Sequence, residues 1–142
     1  MAKASVALLM ILSLLLLLSE CSLAFDTLGM DVPKRVVNIT NYLGPNIVLT
    51  LHCKSNDDDL GKHDLSFENS FHWEFKSNAL FPNTVFYCYM WWQDVYGSFD
   101  VYKAQRDDER CGDKCWWRIK QTGAFSFDES KDRWDLMYIW QK

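Results

Sequence analysis

FHWEFK, residues 71–76, places Phe71, Trp73 and Phe75 at odd positions and His72, Glu74 and Lys76 at even ones. Alternation with period 2 gives an extended strand one dry face and one wet face, which a helix cannot do. The pattern recurs upstream, where Ile47, Leu49, Leu51 and Cys53 share one face and Val48, Thr50, His52 and Lys54 take the other. Residues 35–43 are rich in Val, Ile and Thr and run into the turn signal Leu43-Gly44-Pro45-Asn46. Residues 84–92, nearly all apolar or aromatic, read as a strand buried on both faces. Further strands are expected over 98–104, 115–121, 124–127 and 134–140. About eight short strands with Asp-, Asn- and Gly-bearing turns between them predict an all-β fold, a compact antiparallel β-sandwich.

The first 24 residues stand apart from this pattern. Lys3 precedes an apolar run over 6–18 that only Ser13 interrupts, and Ser22-Leu23-Ala24 puts small residues at −3 and −1 of a cleavage after Ala24. That is the three-part layout of a secretory signal peptide, and the run is short of the roughly 20 residues that cross a bilayer. The expected organisation is a leader over 1–24 and one domain over 25–142, a length that supports its own core. The net charge of −4 argues against nucleic acid and against an anionic membrane face as partners. A secreted monomer, not embedded in a membrane, is expected.

HCKSNDDDLGKHDL, residues 52–65, is the densest cluster of chemically active side chains. As a calcium loop beginning at Asp57 it has Asp59 at position 3 and Glu68 at position 12, but Gly61 and Lys62 fall at positions 5 and 6, and its flanks are strands. A hydrolytic triad lacks its nucleophile, because no Gly-x-Ser-x-Gly elbow occurs and the cysteines are better used as bridges. Adjacent aspartates in one loop do not hold the separation of about 5 to 10 Å that glycoside hydrolysis needs. The stretch reads as a hydrated turn in which Asn56 or an Asp caps backbone amides and Gly61 takes a positive φ. No catalytic or metal residue is assigned.

Past the leader the cysteines are Cys53, Cys88, Cys111 and Cys115. An even number in a small secreted domain predicts two disulfides. A four-cysteine zinc site is the rival, but Cys53 and Cys88 lack the paired spacing of zinc ribbons.

The motifs together carry a resemblance. Asn41-Tyr42-Leu43 precedes Leu51-His52-Cys53-Lys54-Ser55 and Asp57-Asp58-Asp59-Leu60-Gly61; then come Trp73-x-Phe75, Thr84-x-Phe86-x-Cys88, Trp91 and Cys111-x3-Cys115-Trp116. Over almost all of 25–142 the chain resembles the plant self-incompatibility S-protein homologues, relatives of the pistil S-determinant of field poppy. The resemblance implies a β-sandwich with two intramolecular disulfides, no enzymatic activity and no cofactor. In the founding case it implies a secreted ligand, read by a pollen-side membrane receptor, that rejects self pollen.

Several expectations complete the reading. Four cysteines allow three pairings, and long loops stabilise most in the chain-entropy account, which sets aside a tiny 111-to-115 ring. Of the two long-loop pairings, the nested Cys53–Cys115 with Cys88–Cys111 is expected on packing, because Cys115 leads into residues 116–119 that can lie beside the Leu51–Cys53 strand. Neighbours on a strand face opposite ways, so one tryptophan of each pair, Trp91-Trp92 and Trp116-Trp117, is a candidate exposed binding anchor, with burial against the other sheet the commoner fate. Asn38-Ile39-Thr40 is a glycosylation sequon inside a predicted strand, where Asn38 must face solvent to be used. Contact with a cell-surface receptor protein is expected from the charged loops 55–64 and 105–113, through Asp57, Asp58, Asp59, Lys62, Arg106, Asp107 and Asp108. The alternative is a carbohydrate-binding or lectin-like defence module stacking sugars on Tyr96, Trp117 or Trp134.

Overall fold

Alternating burial along the chain produces strands wherever the sequence alternates. A computed structural model describes residues 2–27, 33–77 and 83–141. The unit over residues 1–31 contains one helix, α1 (Ala2–Thr27), and among the described residues no helix is long and apolar enough to cross a membrane. The cleavage point after Ala24 falls where only the backbone of α1 is described.

The unit over residues 32–142 is a β-sandwich. Its strands are β1 (Lys34–Asn41), β2 (Leu49–Lys54), β3 (Asp59–Leu65), β4 (Ser70–Lys76), β5 (Val85–Trp92) and β6 (Val95–Lys103), followed by β7 (Cys115–Lys120), β8 (Gly123–Asp128) and β9 (Arg133–Tyr138). A single-turn helix, α2 (Ala104–Asp107), follows β6. One sheet has the order β4-β1-β7-β8-β9, the other β3-β2-β5-β6.

The described residues hold nine strands, because β3 occupies much of the stretch read as a turn. It escapes pattern recognition as an edge strand: Asp59, Lys62 and Asp64 are exposed and only Leu65 is buried, so no dry face is written into it. The sandwich is not wholly antiparallel, since β1 runs parallel to β7, with Val37 opposite Cys115 and Asn41 opposite Ile119. And β5 is one-sided: Phe86, Cys88, Met90 and Trp92 are buried, while Tyr87, Tyr89 and Trp91 point outward.

The inward residues of both sheets form one core. Val37 and Ile39 from β1, Leu49 and Leu51 from β2, Met90 from β5, and Trp117 and Ile119 from β7 are almost fully buried. The Trp117 indole N–H donates to the Val101 carbonyl at 2.8 Å, so the largest core side chain leaves no orphan donor. Both tryptophan pairs split, Trp92 and Trp117 inward, Trp91 and Trp116 outward, so that the commoner fate of burial does not hold for one member of each.

Asn41, wholly buried at the end of β1, fastens the corner where three segments meet. Its Nδ2 donates to the carbonyls of Ile47 and Leu65, both at 2.8 Å, and its Oδ1 accepts from the Leu43 N–H at 2.8 Å. The amide thereby ties the 43–47 turn to the end of edge strand β3.

The four cysteines form two disulfides, but not the nested ones. Cys53 pairs with Cys88, and Cys111 with Cys115. Native geometry overrules loop entropy here. Antiparallel pairing puts Cys53 directly opposite Cys88, with Cα atoms 4.0 Å apart, whereas Cys115 starts β7 in the other sheet. The turn after α2 then brings Cys111 within 4.9 Å of Cys115.

Candidate functional site

The four-stranded sheet presents three outward rows that cross all its strands. From β3 to β6 they read Asp64, Thr50, Trp91, Tyr96; then Lys62, His52, Tyr89, Ser98; then Asp59, Lys54, Tyr87, Asp100. Register alone sorts them: β3 and β2 contribute charged and polar groups, β5 contributes three aromatic rings, and β6 adds Tyr96 beside Ser98 and Asp100. The result is a face with a polar half and an aromatic half.

The polar half is held by local contacts. Nε2 of His52 lies 2.6 Å from Oδ1 of Asp59, Lys54 Nζ lies 3.7 Å from Oδ2, and the Gly61 N–H donates to Oδ1 at 2.9 Å. The Gly61 amide first, and then His52, hold the Asp59 carboxyl below its usual range. That N–H reaches Asp59 because Gly61 takes φ +77°, as its place in the sequence led us to expect. Thr50 Oγ1 donates to Asp64 at 2.7 Å. The two halves meet where Lys62 Nζ sits 5.7 Å from the Trp91 ring centroid.

The aromatic half is open. Tyr96 is 76% exposed and Tyr89 48%, against a normally buried fate for rings of this size. An open groove of about 580 Å³ runs beside them, lined by His52, Lys54, Tyr89, Trp91, Tyr96 and Tyr138. Tyrosine, tryptophan and histidine on a pinned sheet provide contact area at low entropic cost, together with hydrogen-bonding tips.

The residues singled out from sequence are only partly gathered here. Asp59 and Lys62 belong to the face. Asp57 and Asp58 are exposed in the 55–58 turn, where their N–H groups point to Ser55 Oγ at 3.3 and 3.0 Å, and they line a separate recess. Ser55, not Asn56, is the residue that satisfies those amides.

The 105–113 segment does something else. The Asp107 side chain is 3% exposed, which corrects its reading as a contact residue. Its carboxylate accepts from the Lys103 N–H at 2.8 Å and from Arg106 at 2.8 and 2.7 Å, with Arg110 Nε at 3.5 Å. Arg106 is spent on this bracket and on the Asp100 carbonyl at 2.9 Å. Asp108 accepts from the Tyr102 hydroxyl at 2.6 Å; burial, and then this carboxylate, push that phenol up to about 12. Arg106 and Asp107 are architecture. Asp108 is half-exposed and does not line the groove.

Of the three proposed sugar-stacking residues, Trp117 is core, while Tyr96 and Trp134 lie on different sheets. They do not form one platform. Among the described residues no group of three His, Cys, Asp or Glu side chains is placed to hold a metal ion. His52 and Tyr89, which the sequence reading did not single out, belong to this face; their signal was the outward position of alternate residues in β2 and β5.

Residues 36–140 match the profile of the family described as Plant self-incompatibility protein S1. S-protein homolog 2 from Arabidopsis thaliana is 39% identical over 113 residues, covering 77% of this chain and 70% of that protein. S-protein homolog 24 from the same plant is 31% identical over 134 residues, covering 93% and 89%. A solved structure of SPH (Self-Incompatibility Protein Homologue) proteins, described as small, highly stable, secreted proteins from plants, superposes with TM-score 0.62 at 18% identity. That likeness covers 80% of this chain and 100% of the solved one, and at this identity it speaks to fold.

Proposed function

Since the chain belongs to the plant self-incompatibility protein S1 family, we propose that it is a secreted, non-enzymatic recognition protein that binds a cell-surface receptor protein through the outer face of its four-stranded sheet. The observation that carries this is the row register, which sets Tyr87, Tyr89, Trp91 and Tyr96 beside the His52–Lys54–Asp59 cluster on a sheet cross-linked by Cys53–Cys88. Exposed Tyr and Trp beside pre-ordered charge is the composition of a protein-contact hot spot with a polar rim. Asp57 and Asp58, at the neighbouring turn, supply rim charge that steers encounter. Cleavage after Ala24 and action as a monomer belong to the same proposal. Rejection of self pollen, the role implied by the resemblance, is one specific use of such a contact.

The test is binding of the oxidised, secreted protein to plant plasma-membrane vesicles. Saturable binding that protease treatment of the vesicles abolishes is expected. A glycan ligand is the second reading, favoured by the aromatic groove; binding that survives protease and yields to soluble oligosaccharide would replace the first.

A further inference from the structure

The other sheet also exposes an aromatic strip on its outer side. Trp116 on β7, Phe127 on β8 and Trp134 on β9 follow one another with ring centroids 5.9 and 5.3 Å apart. Arg118 sits at its end, its guanidinium 4.0 Å from the Trp134 centroid and 5.1 Å from that of Tyr42. Lys114 Nζ is 5.3 Å from the Trp116 centroid. Trp116 is 37% exposed. Phe127 and Trp134 are half-buried, so the strip holds partly wetted rings that a further group can cover.

One candidate cover is tethered in place. Asn38, of the sequon Asn38-Ile39-Thr40, points outward from β1, and the parallel ladder puts it opposite Trp116 and Thr40 opposite Arg118. Asn38, Thr40, Tyr42, Trp116, Arg118 and Trp134 line one recess of about 190 Å³. No described side-chain hydrogen bond occupies the Asn38 amide. A position inside a paired strand is no obstacle, since the sugar is attached before the sheet closes.

We propose that Asn38 carries an N-linked glycan whose first N-acetylglucosamine residues lie along the Trp116–Phe127–Trp134 shelf. Pyranose rings present a face of C–H groups to aromatic rings, while Lys114 and Arg118 offer N–H donors to their hydroxyl and acetamide oxygens. Covalent attachment makes the contact intramolecular, so that a weak stacking interaction suffices to hold it. The glycan thereby shields one sheet and leaves the Tyr89–Tyr96 face of the other as the free contact surface. The proposal rests on the secretion of the chain argued above.

The experiment expresses the full chain, leader included, in plant cells and weighs the secreted protein before and after removal of N-glycans by peptide N-glycosidase. A glycan mass on the peptide containing Asn38 is expected. Deglycosylation should lower Tm by several degrees in the wild type and by much less in Trp116→Ala. In the intact wild-type glycoprotein the N-acetyl methyl protons should be shifted upfield by the rings. A secreted protein with no sugar on Asn38 overturns the proposal alone, as does an N-acetyl signal at its free-sugar position together with equal Tm changes in both backgrounds. A chain kept inside the cell with its leader uncut overturns the secretion reading as well.

Discussion

Cys53 and Cys88 face each other on β2 and β5 with Cα atoms 4.0 Å apart, one rung from the outward pair His52 and Tyr89. The disulfide therefore fixes the register of the face that β2 and β5 share, and a register slip of one residue would turn Tyr89 into the core. It also closes the longer loop, 35 residues of separation against 4 for Cys111–Cys115. Replacing Cys53 and Cys88 by Ala should lower unfolding free energy by about 4 kcal/mol, and replacing Cys111 and Cys115 by about 2 kcal/mol. Urea titrations of the two variants decide the order; the reverse order contradicts it.

Asn41→Ala removes the partner of the buried Leu65 carbonyl, the part-buried Ile47 carbonyl and the buried Leu43 N–H at once. A loss of about 3 kcal/mol is expected, more than one ordinary hydrogen bond contributes, because orphaned buried groups bear the full desolvation cost. A loss under about 1 kcal/mol would mean that water reaches the corner and that Asn41 is not the fastener described.

The two charged segments separate by mutation. Asp107→Ala leaves Arg106 and Arg110 without their buried partner and should cost about 3 kcal/mol. Asp57→Ala and Asp58→Ala, on an exposed turn, should each stay within about 0.5 kcal/mol. Thermal melts of the three variants suffice, and similar losses in all three would show that burial misassigns their roles.

Asp128 gives a pH dependence. The Ser130 hydroxyl donates to its carboxylate at 2.6 Å and Lys131 Nζ at 3.1 Å, and these hold its pKa at about 2, down from 3.8. A depressed native pKa contributes stability that is full above the unfolded value and is lost as pH falls through the folded one. The contribution of Asp128 is thus intact above about pH 4 and gone below about pH 2. Asp128→Asn should flatten the stability–pH curve in that window; an unchanged acid slope in the variant argues against the assignment.

The sequence was legible where one face is dry. Alternation in 47–54 and 71–76 predicted β2 and β4. It failed where burial is not written in one strand. Edge strand β3 is polar and takes its shape from β2, so its residues looked like a turn. The nested disulfides rested on loop entropy and on placing Cys115 beside β2, while the observed ones follow from which strands do lie side by side, a long-range fact. Asp107 looked like surface charge because its partners Arg106 and Arg110 make burial possible only in three dimensions. The face proposed for contact was hidden for the same reason: Trp91 and Tyr96 become a pair with Thr50 and Asp64 only when four strands align.

The most direct test of the proposed contact face compares binding of wild type and of a Tyr89→Ala, Trp91→Ala, Tyr96→Ala variant to plant plasma-membrane vesicles, with Asp57→Ala, Asp58→Ala as the control. All three aromatic positions lie outside the core, so the variant's fold is checked by its retained disulfides and circular dichroism. Removing rings from a hot spot costs about 2 kcal/mol or more each, so binding should weaken at least 100-fold, while the control changes a few-fold through its rim charge. Unchanged binding by the folded aromatic variant would contradict the assignment of this sheet face as the receptor contact.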